Sequence, residues 1–250
     1  MARAGFGREK LESFFAEMGK ELHIPVKVYL LGGGAMCFRS QKNATKDLDL
    51  VFASAREYNE FIKILPKLGF KAQAAVSPEY MDMDATGIWD EPNGFRLDLF
   101  VNKVCGKLSL SKDIISRSEL LGVYGKLSVQ AVSDTDIVLF KSITERSDDA
   151  ADIASIVRSS KVDWQAVLNE CKMQSKDRPW YGALLNKLYE IKDKHGINAP
   201  IAKQVEELYK ASLIQHKVSQ LQEGGMAKEE IRAELKRRGF TDREIKKAVK

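Results

Sequence analysis

The chain has no run of eighteen or more apolar residues, so nothing in it reads as a membrane-spanning helix. Its start, MARAGFGREK, lacks the apolar core of a secretory signal, and a cytoplasmic location with no membrane partner is expected. Cysteine is scarce: Cys37, Cys105 and Cys171 are too widely spaced for a metal knuckle, and their odd number argues against a disulfide framework. His23, His195 and His216 are equally scattered, so there is no support for a zinc site. Two phosphate motifs are also missing. Gly32 and Gly34 lack the third glycine of the dinucleotide fingerprint, since position 37 is Cys37, and no Gly-Lys-Ser/Thr follows them as in a Walker loop.

What is present suits a folded chain. At 250 residues, with 44% hydrophobic and 30% charged residues, it can bury a core as one large domain or two small ones. The net charge of +5 is modest, but it is unevenly placed. Residues 226–250 hold nine Lys/Arg against five Asp/Glu, so most of the excess lies in the tail.

One stretch carries chemistry, residues 28–52, VYLLGGGAMCFRSQKNATKDLDLVF. An apolar run dense in strand formers, Val28 to Leu31, leads into Gly32, Gly33 and Gly34. A turn or two of helix over Ala35 to Arg39 follows, then a polar loop, then a second strand from Asp47 to Phe52. In that strand Asp47 and Asp49 alternate with Leu48 and Leu50. Side chains at i and i+2 share a face about 6.6 Å apart. Two carboxylates at that distance repel by roughly 2–3 kcal/mol at an effective dielectric near 20. A raised pKa or a bound cation must relieve this, and a hard oxygen-loving ion such as Mg²⁺ is the usual answer. Bare glycine backbone after a strand can approach a ligand closely, and N–H groups at a helix start attract phosphate. A phosphate-receiving turn before a cation-holding acid pair points to chemistry on a nucleoside triphosphate.

These residues resemble a known signature. Leu31-Gly32-Gly33, thirteen residues, then Asp47-Leu48-Asp49-Leu50 is similar to the motif of the DNA polymerase beta-type nucleotidyltransferase superfamily. The fuller string GGGAM…R…ATKDLDL is most similar to the AbiEii-like and related prokaryotic members. The small MntA-type antitoxins, with Ser at the second Gly and a shorter spacer, match less well. The resemblance covers about residues 24–157. It implies an α+β fold, a polymerase beta-like mixed sheet with helices, followed by a C-terminal helical region. It also implies a third carboxylate on a later strand. Asp98, in Phe95-Arg96-Leu97-Asp98-Leu99-Phe100, fits that place, although alone it would read as an exposed-face residue. Arg96 is left open between ion-pair partner and substrate contact.

The same resemblance extends to Lys141, Arg146, Asp149 and Asp152, spaced Lys-x4-Arg-x2-Asp-x2-Asp. Lys141 and Arg146 are then candidate triphosphate contacts, with a solvated helix face as the alternative. Asp149 and Asp152 read as structural or ion-pair partners, while Arg39 and Thr45 either order the loop or touch phosphate. The implied activity is Mg²⁺-dependent transfer of a nucleoside monophosphate from an NTP to a hydroxyl, with two ions held by Asp47, Asp49 and Asp98. The implied acceptors are RNA (tRNA) or a protein, with a cognate toxin or antitoxin as partner. The alternative is a catalytically inactive nucleotide- or RNA-binding regulator of the same fold.

Along the rest of the chain, helices are expected over 8–22, 55–68, 133–146, 148–159, 163–173, 179–194 and 200–222. Strands are expected over 70–76, 88–89, 95–101 and 127–132, with a turn at 90–94. Two short helices split by Gly239, the second capped by Thr241, end the chain. Gly224-Gly225 reads as a hinge. The expected domains are a catalytic domain at 1–132, a helical region packed on it at 133–222, and a basic tail at 223–250. Asp82/Asp84 repeats the acid spacing without a glycine turn. Asp134/Asp136 reads as capping at a helix start.

Overall fold

The computed structural model describes residues 5–73, 84–91, 95–144, 146, 148–176 and 178–249. They group into two compact units, Met1–Glu170 and Cys171–Lys250. The boundaries expected at 132/133 and 222/223 both fall inside these units.

The first unit is α+β. Its sheet contains β1 (Val26–Leu30), β2 (Asp47–Phe52), β3 (Lys71–Ala72), β4 (Gly87–Asp90), β5 (Arg96–Val101), β8 (Glu119–Tyr124) and β9 (Leu127–Ala131). A separate hairpin is formed by β6 (Lys103–Val104) and β7 (Leu108–Ser109). The seven strands lie in the order β3-β4-β5-β2-β1-β9-β8. The sheet is mixed: β2 runs parallel to β5 and β1 to β9, while β1 and β2 are antiparallel.

Helix α1 (Arg8–Glu21) packs over β8 and β9, burying Leu11, Phe15 and Met18 at helical spacing. Helix α2 (Gly32–Phe38) follows β1, and α3 (Ala55–Ile62) packs against β1, β2 and β5. Leu48, Leu50, Leu97 and Leu99 of the two central parallel strands are fully buried. Because side chains alternate, Asp47, Asp49, Arg96 and Asp98 are turned to the opposite face of those strands.

The expected helix over 55–68 stops at Ile62. Pro66 has no N–H, and its ring clashes with the carbonyl four residues back, which is that of Ile62. A 3₁₀ turn, Leu65–Leu68, and Gly69 at φ +85° close the segment. The strand expected over 70–76 is only Lys71–Ala72, its end lying outside the described residues. The expected pair at 88–89 and 95–101 is the antiparallel β4–β5. Residues 92–94 of its connection, and Asp82, are outside the described residues.

Residues 102–126 gave no pattern in sequence, yet they form β6, β7, α4 (Lys112–Arg117) and β8. Two-residue strands carry no period. In β8 a bulge between Leu120 and Gly122 breaks the alternation, so Leu120 and Val123 end on one face opposite Gln130 and Ser128.

Helices α5 (Asp134–Thr144), α6 (Asp149–Ser159) and α7 (Trp164–Gln174) follow, with α5 packed on α6. The acids at the start of α5 are structural. Ser133 Oγ accepts from the Asp136 N–H at 3.2 Å, and Asp136 and Glu170 share the guanidinium of Arg117 at 2.7 and 2.8 Å. Asp134 holds Arg39 at 2.9 Å, and Arg39 also binds Glu119 at 2.7 Å.

The second unit is helical, with α8 (Tyr181–His195) packed on α9 (Ala202–Glu223). Ile214 and Val218 of α9 build a small core with α10 (Lys228–Arg237) and α11 (Asp242–Ala248), through Ile231, Leu235, Ile245 and Val249. Thr241 caps α11 as expected, in a capping box with Glu244. The tail's positive charge is partly spent locally. Arg237 and Arg238 share Glu234 at 2.8 and 2.6 Å, and Lys236 pairs with Asp242 at 3.1 Å. Among the described residues, no helix is long and apolar enough to cross a membrane.

Candidate active site

The turn after β1 is set by its contacts with β2. Leu31 donates its N–H to the carbonyl of Asp49 at 3.0 Å, which holds the turn against that strand. Gly32 has φ +55°, and a Cβ there would lie 2.5 Å from Asp49 Oδ2. Only glycine fits both the left-handed backbone and the close carboxylate. At Gly33 a Cβ would lie 2.6 Å from Thr45 Oγ1. Gly34 is different: it is buried, and a Cβ there would strike Leu30 and Leu48 at 2.7 Å. This closeness lets α2 pack on the sheet.

Strand pairing brings the acids together. In the parallel β2–β5 register Asp47 lies opposite Arg96 and Asp49 opposite Asp98. Registered partners in a parallel pair share a face, so three carboxylates and one guanidinium form a two-by-two patch. Asp98 is therefore turned with the acid pair and is fully buried, not exposed. Arg96 lies between them, with Nη2 2.9 Å from Asp47 Oδ2 and 2.7 Å from Asp98 Oδ2. The alternative left open for Arg96 resolves as an ion pair.

The electrostatics follow from this geometry. Burial pushes the Asp98 carboxyl up to about 7, helped by the charge of Asp49 and opposed by Arg96. Asp49 is also raised, first by burial and then by Asp47, against Arg146, Lys141 and Arg96. Between the ordinary aspartate value near 4 and about 7, the folded state then holds a proton on Asp98 that the unfolded state has lost. Stability from this group is present at low pH and falls as pH rises through that window. In metal-free protein we expect the thermal midpoint to decline from pH 5 to pH 8, with a flatter profile in Asp98→Asn. Parallel profiles for the two proteins would contradict the assignment.

Beside the acids is a cleft of about 450 Å³, lined by Gly33, Thr45, Asp47 and Asp49, four basic side chains (Lys42, Lys46, Lys141, Arg146) and Asp148, Asp149 and Asp152. Thr45 is buried, with its hydroxyl donating to the Asp47 carbonyl at 2.9 Å and its backbone paired with Phe6. It both orders the loop and faces the cleft. Lys141 is held by Asp149 at 2.9 Å and Asp152 at 2.7 Å. Burial works against its charge, but the two aspartates outweigh it and raise its pKa. Arg146 is exposed. Nearby protein atoms partly desolvate its guanidinium and oppose its charge, yet Asp49, Cys105 and Asp149 raise its pKa. Arg39 is not in the cleft lining; its ion pairs order the loop.

Among the described residues, no three acidic, cysteine or histidine side chains close on a shared metal position as they stand. The guanidinium of Arg96 lies between Asp47 and Asp98. The donor set nonetheless fits a hard cation. All three groups are carboxylates, Asp47 is 30% exposed, and among the described residues the buried Asp98 Oδ1 has no hydrogen-bond partner. Sequence reasoning missed Lys42. It sits in the spacer between glycines and acids, where no periodicity or motif marks it.

No protein-family model matches the chain, and no curated protein matches it. Among solved structures the chain is similar to the lincosamide antibiotic adenylyltransferase LnuA with lincomycin bound. That match has a TM-score of 0.43 and 16% identity over 62% of this chain and 99% of the other. It is also similar to a candidate nucleotidyltransferase from H. pylori, with a TM-score of 0.38 and 13% identity over 81% of this chain and 99% of that one.

Proposed function

We propose that the protein is a nucleotidyltransferase that moves a nucleoside monophosphate from an NTP to a hydroxyl of RNA, tRNA included, or of a protein. The observation that carries this reading is the cross-strand alignment of Asp47 and Asp49 with Arg96 and Asp98, against a turn that only glycine can make. Four basic side chains and five aspartates line the cleft. A polyphosphate entering such a mixed wall needs added positive charge.

Asp47, Asp49 and Asp98 would hold Mg²⁺, two ions during turnover. When bound there, Mg²⁺ would supply neutralisation of charge on the triphosphate and leaving pyrophosphate and a lowered pKa at the attacking hydroxyl. In the reaction the acceptor oxygen forms a bond to the α-phosphorus while the bond from that phosphorus to the β-bridging oxygen breaks. Pyrophosphate leaves. The hydroxyl proton would pass to Asp98, whose Oδ1 has no hydrogen-bond partner among the described residues. Gly32 and Gly33 keep the backbone low enough for phosphate to approach, and Thr45 fixes the start of β2 through its bond to the Asp47 carbonyl. Arg146 adds positive charge near the acids.

A second reading, a regulator that binds nucleotide or RNA without turnover, is favoured by one feature. Arg96 already neutralises part of the acid patch. Incubation with each labelled NTP, Mg²⁺ and bulk tRNA separates the two. We expect label on RNA or on protein, with matching pyrophosphate release. Binding with neither label nor pyrophosphate would leave the regulatory reading. A cognate toxin or antitoxin is a further expected partner, tested by whether co-expression changes the labelled product.

A further inference from the structure

Three lysines line the cleft, Lys42, Lys46 and Lys141, and the two beside Asp152 differ in their surroundings. Lys141, the cation expected to meet phosphate, is 13% exposed and already holds two carboxylates at 2.9 and 2.7 Å. An ammonium between two aspartates forms a group of net negative charge, poorly suited to a further anion. Lys42 is 37% exposed, and among the described residues its carboxylate partner is Asp152, with both oxygens at 3.2 Å. Charge-assisted bonds of this type are usually shorter, about 2.7–2.9 Å.

The backbone around Lys42 is held by bonds to its neighbours, and its tip by long contacts to Asp152 alone among the described residues. Ser155 donates to the Gln41 carbonyl at 2.8 Å, and the Gln41 side chain donates to Asp134 at 2.7 Å. Further along, Thr45 pairs with Phe6. The Lys42 stem crosses the glycine turn: its Cδ lies 3.8 Å from where a Cβ on Gly33 would be. A loosely held cation thus stands beside the bare backbone on which the phosphate-receiving role rests.

We infer that Lys42 is the lysine that receives the polyphosphate, exchanging Asp152 for a phosphate oxygen when nucleotide enters. This rests on the nucleotide reading above. Asp152 keeps Lys141 when Lys42 leaves, so no carboxylate is stranded. The pair is long at 3.2 Å and its lysine end is 37% exposed, so the exchange costs little. A point charge at this place selects triphosphates over monophosphates, because it engages oxygens beyond the α-phosphate.

The test uses the full chain with Ca²⁺ in place of Mg²⁺ to hold back turnover. ATP, GTP, CTP and UTP and the four matching monophosphates are titrated by calorimetry into wild type, Lys42→Met and Lys42→Arg. Lys42→Met should lose about tenfold or more in triphosphate affinity while monophosphate affinity and thermal midpoint hold, and Lys42→Arg should recover most of the loss. Wild-type triphosphate affinity in Lys42→Met, or equal losses for both ligand classes, overturns the inference and leaves the nucleotide reading standing. If wild type binds none of the eight nucleotides, the nucleotide reading falls and this inference with it.

Discussion

Asp49→Ala is expected to abolish nucleotide transfer, by about a thousandfold or more, while the metal-free fold becomes no less stable. The carboxylate lies against the glycine turn, opposite Asp98 across the strand pair. Divalent-ion stabilisation of phosphoryl transfer is worth several kcal/mol, and each ~1.4 kcal/mol is a factor of ten in rate. Stability should move the other way. Burial and the neighbouring Asp47 raise the pKa of Asp49, which means that the folded protein resists its charged form. Removing the group relieves that strain at pH 8. Pyrophosphate release and a thermal scan on one preparation check both halves. Wild-type transfer by Asp49→Ala would place the chemistry elsewhere, and collapse of the fold would make the residue structural.

Arg96→Met should produce the second large effect, on stability rather than rate. The arginine is buried, and its Nη2 lies within 2.9 Å of Asp47 and 2.7 Å of Asp98. Removing one partner of a buried ion pair typically costs about 3–5 kcal/mol, because the remaining charge has no compensation. The acid patch differs from an ordinary buried pair in having a second possible counter-ion. We expect the metal-free variant to melt well below wild type, and Mg²⁺ to restore more of its midpoint than it adds to wild type. Binding to the folded state alone raises stability with ligand concentration, so a Mg²⁺ titration of the midpoint gives the affinity as well. If Mg²⁺ gives both proteins the same increment, Arg96 and the cation do not compete for these carboxylates.

The two predictions depend on different links. Asp47 and Asp49 were legible from the sequence because the strand period places both on the face opposite Leu48 and Leu50. The β2 bounds, Asp47–Phe52, are those expected. Asp98 could not be placed that way. An acid in an apolar strand reads equally well as exposed, and only its pairing with Asp49 turned it inward. The same pairing set Arg96 beside Asp47, which no local pattern contains.

Other misses have equally local causes. The bulge in β8 removed the alternation that would have marked a strand. Pro66 shortened α3 by its clash with Ile62, although the apolar spacing continued past it. Gly34 reads in sequence as part of one phosphate-binding triplet, and the close approach of Leu30 and Leu48 adds a packing role that no local pattern marks.

The sequence alone determined the pieces whose causes are short-range: the glycine turn after β1, the acid pair of β2, the capped helices of the tail, and the lack of any apolar membrane span. Tertiary structure decided which charges meet. Lys42 with Asp152 and Arg39 with Asp134 lie 110 and 95 residues apart. Arg96 with Asp47 is 49 apart. A side chain's periodicity says which way it faces. Its partner across a sheet or a loop depends on register and packing, which nothing within a few residues specifies.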